Sequence, residues 1–198
     1  MDKIGLQLYT IKDVTEKDFL GTLKKVAEIG YDGVEFAGYY GVEAEELKRV
    51  LVDNNLVAIG THFVIEELEE KDKLADIIDY AKKIDCPTII CPGLFGDRAN
   101  SKEAFLSAAK IFNEVGVKCR DNGLSFVYHI HGHEFDNYDG KNGMEILIEN
   151  TDPEFVSFEL DTYYVKWAGL DPVEFYRQYG ERCSHLHFKD MTVDNKNT

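Results

Sequence analysis

The chain has 198 residues, 44% of them hydrophobic and 30% charged, with a formal net charge of −15. These values fit one soluble globular domain large enough to bury a core. They disfavour a nucleic-acid partner, which needs a positive footprint, and no apolar run reaches the roughly 18–20 residues that would span a bilayer.

The start, MDKIGLQLYT, enters a strand directly and lacks the basic and apolar stretches of a secretory leader, so cytoplasmic residence is expected. Strand-like runs rich in β-branched and aromatic residues begin near Ile4, Val34, Ala58, Thr88, Ser125, Val156 and Ser184. Helical patterns separate them. The first carries Phe19, Leu23, Val26 and Ala27 on one stripe, with Thr15 and Asp18 spaced as a capping box. Asp171–Pro172 is spaced as an N-cap and first-turn proline, and Gly30, Gly123 and Gly180 fall where helices should stop. The alternation predicts a parallel α/β fold of one domain, 1–198. A doubly wound dinucleotide-binding sheet would want a Gly-rich turn after the first strand, and YTIKDVTEKD has none. A barrel of the (β/α) TIM type is the expectation, with seven strand–helix units visible and the C-terminal eighth apparently missing. The seventh and first strands are then expected to lie at open edges, which invites association and leaves homo-oligomer formation open.

Three of the late segments end a strand on acid/base or metal-ligand residues: FVYHIHGHEF (126–135), FVSFELDTYY (155–164) and SHLHFKDM (184–191). Each follows the last by about one strand–helix–strand unit. In a parallel barrel such residues converge at the C-terminal mouth, where these folds place chemistry. Asp161 closes an apolar run, where a bare carboxylate is costly unless paired or liganding. Glu159, two residues earlier, shares its face and is placed below it as a supporting group. His185 and His187 share a face with Lys189 next along it, and His129, His131 and His133 share one by parity unless Gly132 bends the chain. Mixed carboxylate and imidazole donors suit a divalent cation: Mn, Mg, Co or Zn. Gln7, Tyr9, Glu35 and His62 on earlier strands, with Trp167 after Asp161, are expected to line a sugar-sized pocket. The four cysteines form no C-x-x-C pair and are expected as reduced core residues, and nothing near Cys91 marks it as a nucleophile.

Taken together, GLQLYTIKD, GYDGVEFAGYYG, YHIHGHEF, ELDTYYVKWAGLDP and HLHFKDM resemble the sugar phosphate isomerase/epimerase family, which has a xylose-isomerase-like TIM barrel. The resemblance runs in order from Ile4 to Met191. It implies a divalent metal at the barrel mouth, with Asp161 and His187 as ligands and Lys189 contacting substrate. On the fifth strand the implied ligand is His129 or Glu134, with preference for Glu134 and His131 facing substrate. Ile130 stands where the related branch has asparagine, and His133 where it usually has an aromatic. A fourth ligand would come from a glutamate on an eighth strand. The implied function is a metal-dependent isomerase or epimerase of a sugar or keto-sugar, abstracting a proton next to a carbonyl through an enediolate. Glu134, His131 and Lys189 are the expected catalytic residues. A lyase or dehydratase using the same enediolate is the first alternative, and a non-catalytic sugar-binding barrel the second. The only partner expected is a small carbohydrate. Only Lys189 and Arg98 offer themselves to a phosphate, which argues against a phosphorylated substrate.

Overall fold

The computed structural model describes residues 4–192. Seven strands form one all-parallel sheet in chain order: β1 Gly5–Gln7, β2 Gly33–Phe36, β3 Val57–His62, β4 Thr88–Cys91, β5 Ser125–His129, β6 Val156–Asp161 and β7 Cys183–His187. Each begins within one residue of its sequence expectation. Parallel neighbours need a crossover, and a helix follows each of the first six strands. The long helices are α1 Phe19–Ile29, α2 Ala44–Asp53, α3 Lys71–Lys83, α4 Lys102–Asp121, α5 Gly143–Asn150, α6 Thr162–Trp167 and α7 Pro172–Tyr179.

The sheet curls. Glu35 on β2 lies 3.0 Å from His187 on β7, although their strands are far apart in sheet order. Only an arc that brings early and late strands face to face permits that contact. Among the described residues β1 pairs only with β2 and β7 only with β6, so both ends of the arc are edges.

The core lies between the outer face of the sheet and the helices. In β6, Val156, Phe158 and Leu160 are buried against that layer, while Glu159 and Asp161 alternate to the concave face. Phe112 on α4 is fully buried between the rings of Phe126 (5.3 Å) and Tyr128 (5.1 Å) of β5. Phe112→Ala is expected to cost about 3–5 kcal/mol. Urea unfolding should show a lower midpoint with an unchanged slope, and an unmoved midpoint would deny this ring its place in the core.

Local signals hold with two corrections. Asp171 accepts hydrogen bonds from Val173 N and Glu174 N ahead of Pro172, as expected of an N-cap. Gly30 ends α1 in the left-handed region (φ 107°). The first correction is that Thr15 does not cap α1. Asp18 does, accepting from Gly21 N, because Thr15 ends its own short helical turn and turns its hydroxyl back to the Lys12 carbonyl and across to Tyr40 Oη. The second is that Gly180 ends α7 in the right-handed region and leads into a single 3-10 turn, so it needs no glycine-specific backbone there. A small hairpin, Asn137–Tyr138 with Lys141–Asn142, is an addition to the expected elements. Asp139 and Gly140 turn it with φ of 56° and 91°, the Asp-Gly chemistry of a tight hairpin. All four cysteines are free, and burial pushes the Cys91 thiol up to about 12, the opposite of activation. Among the described residues no helix is long and apolar enough to cross a membrane.

Candidate metal centre and active site

Three buried carboxylates and three histidines meet at the C-terminal ends of β2, β3, β5, β6 and β7. Parallel strands bring all their C-terminal ends to one mouth, and the inward parity of each strand selects which residue points into it. Glu159 sits at the centre. Its Oε2 is 2.7 Å from His129 Nδ1 and 3.7 Å from His62 Nε2, and its Oε1 is 3.2 Å from His187 Nε2. Glu35 Oε1 is shared by His62 Nε2 at 2.6 Å and His187 Nε2 at 3.0 Å.

Asp161 occupies the outer position. Its Oδ1 accepts from Tyr163 N and Tyr164 N, capping α6. Its Oδ2 faces His129 Nε2 at 3.6 Å, His187 Nδ1 at 3.8 Å and Lys189 Nζ at 2.6 Å, yet none aligns as a hydrogen bond. His187 Nδ1 is likewise buried without a hydrogen-bond partner.

The charges lock one another. Burial opposes ionisation of Asp161 but is outweighed by His129, His187 and Lys189, which hold the carboxyl far below the usual range. Burial is likewise outweighed at Glu159 by the hydrogen bond from His129 and by the close approach of His187. At Glu35, burial and the charge of Glu159 are overcome by His187 and His62. Conversely, burial should depress the imidazolium of His187, but Asp161, Glu159 and Glu35 carry its pKa up to about 12, and Asp161 and Glu159 raise that of His129 against burial. The cluster therefore sets three carboxylates against His187 and His129, each favouring the charged form of the other, with Lys189 Nζ 2.6 Å from Asp161.

The donor set fits a divalent cation. His129 Nε2, Asp161 Oδ2 and His187 Nδ1 face one another, all within 4.8 Å. Donors sharing one cation at about 2.0–2.2 Å sit roughly 3 Å or slightly more apart, so the observed 3.6 and 3.8 Å need only a small contraction. The remaining nitrogens, His129 Nδ1 and His187 Nε2, are held by Glu159 and Glu35, the carboxylate–histidine pairing that orients metal-binding imidazoles. Two further sets, His62–His129–Glu159 and Glu35–Glu159–His187, also bring three donors within 4.8 Å.

Glu35 and His62, expected to touch substrate, thus join the same cluster as Asp161, His187 and His129. Glu134 does not join it. Fully buried, it accepts from Tyr128 Oη and, at 3.0 Å, from His131 N, and burial raises its pKa. β5 ends at His129, so the chain bends before Gly132 and takes His133 and Glu134 off the strand's parity. His131 stays at the mouth, its ring 4.7 Å from His129 and 4.4 Å from Tyr164. Burial and the neighbouring charges of His129 and His133 press its pKa down to about 3, so it is neutral. Gln7 turns its side-chain oxygen to Tyr9 N and caps the turn that follows β1, while Tyr9 is exposed and bonded to Lys12. Trp167 is more than half exposed and packs against Gly132, where a Cβ would come within 2.3 Å of its ring. Arg98 is engaged by Glu69 (2.5 Å) and Glu66 (3.3 Å). The central role of Glu159 was only half legible. Its parity with Asp161 in an apolar strand marked it as inward-facing, but not as the residue on which three histidines converge.

The profile of a protein family described as "Xylose isomerase-like TIM barrel" matches residues 23–198. An inosose dehydratase of Mesomycoplasma hyopneumoniae (strain 7448) is 26% identical over 217 aligned residues, covering 98% of this chain and 72% of the relative. Two crystal structures, each described as a sugar phosphate isomerase/epimerase from Parabacteroides distasonis ATCC 8503, share the fold. One superposes with a TM-score of 0.83 at 23% identity, covering 97% of this chain and 79% of that one. The other has a TM-score of 0.80 at 27% identity, covering 97% and 80%.

Proposed function

Because the chain belongs to the xylose isomerase-like TIM barrel family, we propose that it is a sugar-modifying enzyme that removes a proton next to the carbonyl of a keto-sugar or keto-cyclitol. The observation that carries this reading is the set of His129 Nε2, Asp161 Oδ2 and His187 Nδ1 facing one another at the barrel mouth, with Lys189 on the same carboxylate oxygen. We assign the cation to these three residues, with Glu159, Glu35 and His62 as the supporting carboxylates and imidazole. A nitrogen-rich set of this kind favours Zn, Co or Mn over Mg. A divalent cation held by these residues would supply Lewis-acid stabilisation of the negative charge that proton removal places on the substrate.

The chain's own residues supply the rest. Lys189 carries a proton at Nζ beside Asp161 and donates it toward the oxyanion developing on the carbonyl oxygen. His131 stands beside His129 and Tyr164 with its Nδ1 free of any hydrogen-bond partner, and we assign it the substrate's proton on that placement. Glu134 acts through His131 by holding its backbone N–H, and so is a positioning residue rather than the base. Trp167 and Tyr164 offer aromatic faces to the C–H side of a sugar ring. Reprotonation of the enediolate gives an isomer or epimer. Expulsion of a β-hydroxyl gives a dehydrated product, and the likeness to an inosose dehydratase over 98% of this chain supports that second outcome. Incubating the Zn-, Co- and Mn-loaded protein with an inosose and with ketohexoses in D₂O tests the reading. Deuterium incorporation without mass loss marks isomerisation and loss of water marks dehydration. Absence of both with every substrate and metal would overturn it.

Neighbouring carboxylates raise the proton affinity of His187, and of His129 against burial. A cation that ligates these imidazoles competes with their protons, so its binding is expected to release protons and to tighten as pH rises. Titration calorimetry in buffers of different ionisation enthalpy reads the number directly, and zero release would reject the histidines as ligands.

A further inference from the structure

We infer that Thr162 is a positioning residue for the proposed reaction: its hydroxyl fixes the backbone of Lys189 and so holds Nζ where it meets the developing oxyanion. The inference rests on the sugar-modifying reading of the same mouth and adds a residue to it. Asp161 pairs with His187 in the β6–β7 register, and the ladder ends with that pair. β6 passes at once into α6, whose first residue is Thr162, so the carbonyls that follow are committed to the helix. Lys189 lies two residues past the end of β7, after the exposed Phe188.

The Thr162 side chain takes over where the ladder ends. Its Oγ1 accepts from Lys189 N at 2.9 Å, and its one proton faces the Lys189 carbonyl at 2.7 Å and the His187 carbonyl at 3.1 Å. The hydroxyl is not spent on the helix, because Asp161 already caps α6 through Tyr163 N and Tyr164 N. Asp161 also meets the other end of the same lysine, its Oδ2 being 2.6 Å from Nζ. The Tyr164 ring stands 5.2 Å from that nitrogen. Consecutive residues at one strand end thus hold both the backbone and the ammonium of Lys189. A lysine is among the side chains that lose most rotamer freedom on ordering. Here that ordering is completed in the folded protein, before substrate arrives.

Thr162→Val keeps the shape and removes the hydroxyl, whereas Thr162→Ser keeps the hydroxyl. Thr162→Val should lower kcat for a keto-substrate about 10–100-fold, the scale of a misplaced reacting group. KM and Zn affinity should stay unchanged, because the hydroxyl touches no side-chain atom of the donor set. Thr162→Ser should recover most of the loss. In a Lys189→Met background Thr162→Val should cost nothing further, since nothing is left to position. The Lys189 amide, followed by NMR, should exchange faster in Thr162→Val and not in Thr162→Ser. Wild-type kcat in Thr162→Val, no recovery with serine, or an equal loss in the Lys189→Met background would overturn the role. So would a loss of Zn affinity as large as the loss of kcat, which would make Thr162 a prop for the metal donors. Unchanged exchange of the Lys189 amide in Thr162→Val would overturn the clasp itself. A wild type that turns over no keto-substrate, with faster exchange in Thr162→Val, would overturn the reaction and the role in it but leave the clasp standing.

Discussion

Asp161→Asn is expected to abolish turnover and to weaken divalent-cation binding by on the order of a hundredfold or more, while the protein stays folded. The substitution is nearly isosteric, and an asparagine oxygen can still cap Tyr163 N and Tyr164 N at the start of α6. What is lost is the negative charge on the atom that His129, His187 and Lys189 all face. An amide nitrogen in that place would meet three proton donors and offer a cation nothing. Calorimetric titration with Zn and Mn, alongside thermal unfolding, separates the two effects. Unchanged affinity in a folded Asp161→Asn protein would remove this residue from the metal centre.

Glu159→Gln is expected to lower cation affinity by about 10–100-fold, the usual effect of losing a partner that orients ligating imidazoles. Glu159 is fully buried and contacts His62, His129 and His187 together. A glutamine keeps the shape but has one oxygen where a carboxylate has two. Its oxygen can accept from His129 Nδ1 while His187 Nε2 keeps its bond to Glu35, but its amide NH2 then stands where a carboxylate oxygen faced His187 Nε2 at 3.2 Å, setting donor against donor and removing the charge that holds both rings. The size of the loss also separates the donor sets. A deficit as large as that of Asp161→Asn would make Glu159 itself a ligand and assign the cation to Glu35, Glu159 and His187. No deficit would mean that the histidine orientations come from packing alone.

The two substitutions probe different kinds of information. Asp161, His187 and His129 were readable because each ends an apolar run, and a polar group at that point of a strand needs a local reason. Glu35 and His62 were readable as inward-facing residues near strand ends, but not as hydrogen-bond partners of His187 and of each other. Glu134 and His129 could not be told apart as the fifth-strand residue of the site, because the sequence does not say where β5 stops. The strand ends at His129, and the buried hydroxyl of Tyr128 then draws Glu134 away from the mouth.

The hairpin at 137–142 and the end of β5 lay outside the sequence reading. By itself the sequence determined the seven strands of the main sheet, their order, their parallel sense and the alternation of faces within each. These follow from two-residue alternation, the spacing of apolar stripes and the crossover that parallel strands require, all of which are short-range. Only the tertiary structure decided which strand tips meet. The contact of Glu35 with His187 joins residues 152 positions apart and exists only because the sheet curls. That curl is set by strand twist and by helices packed against the outer face across the whole chain. The convergence of three histidines on Glu159 is a product of that curvature, and no local pattern encodes it.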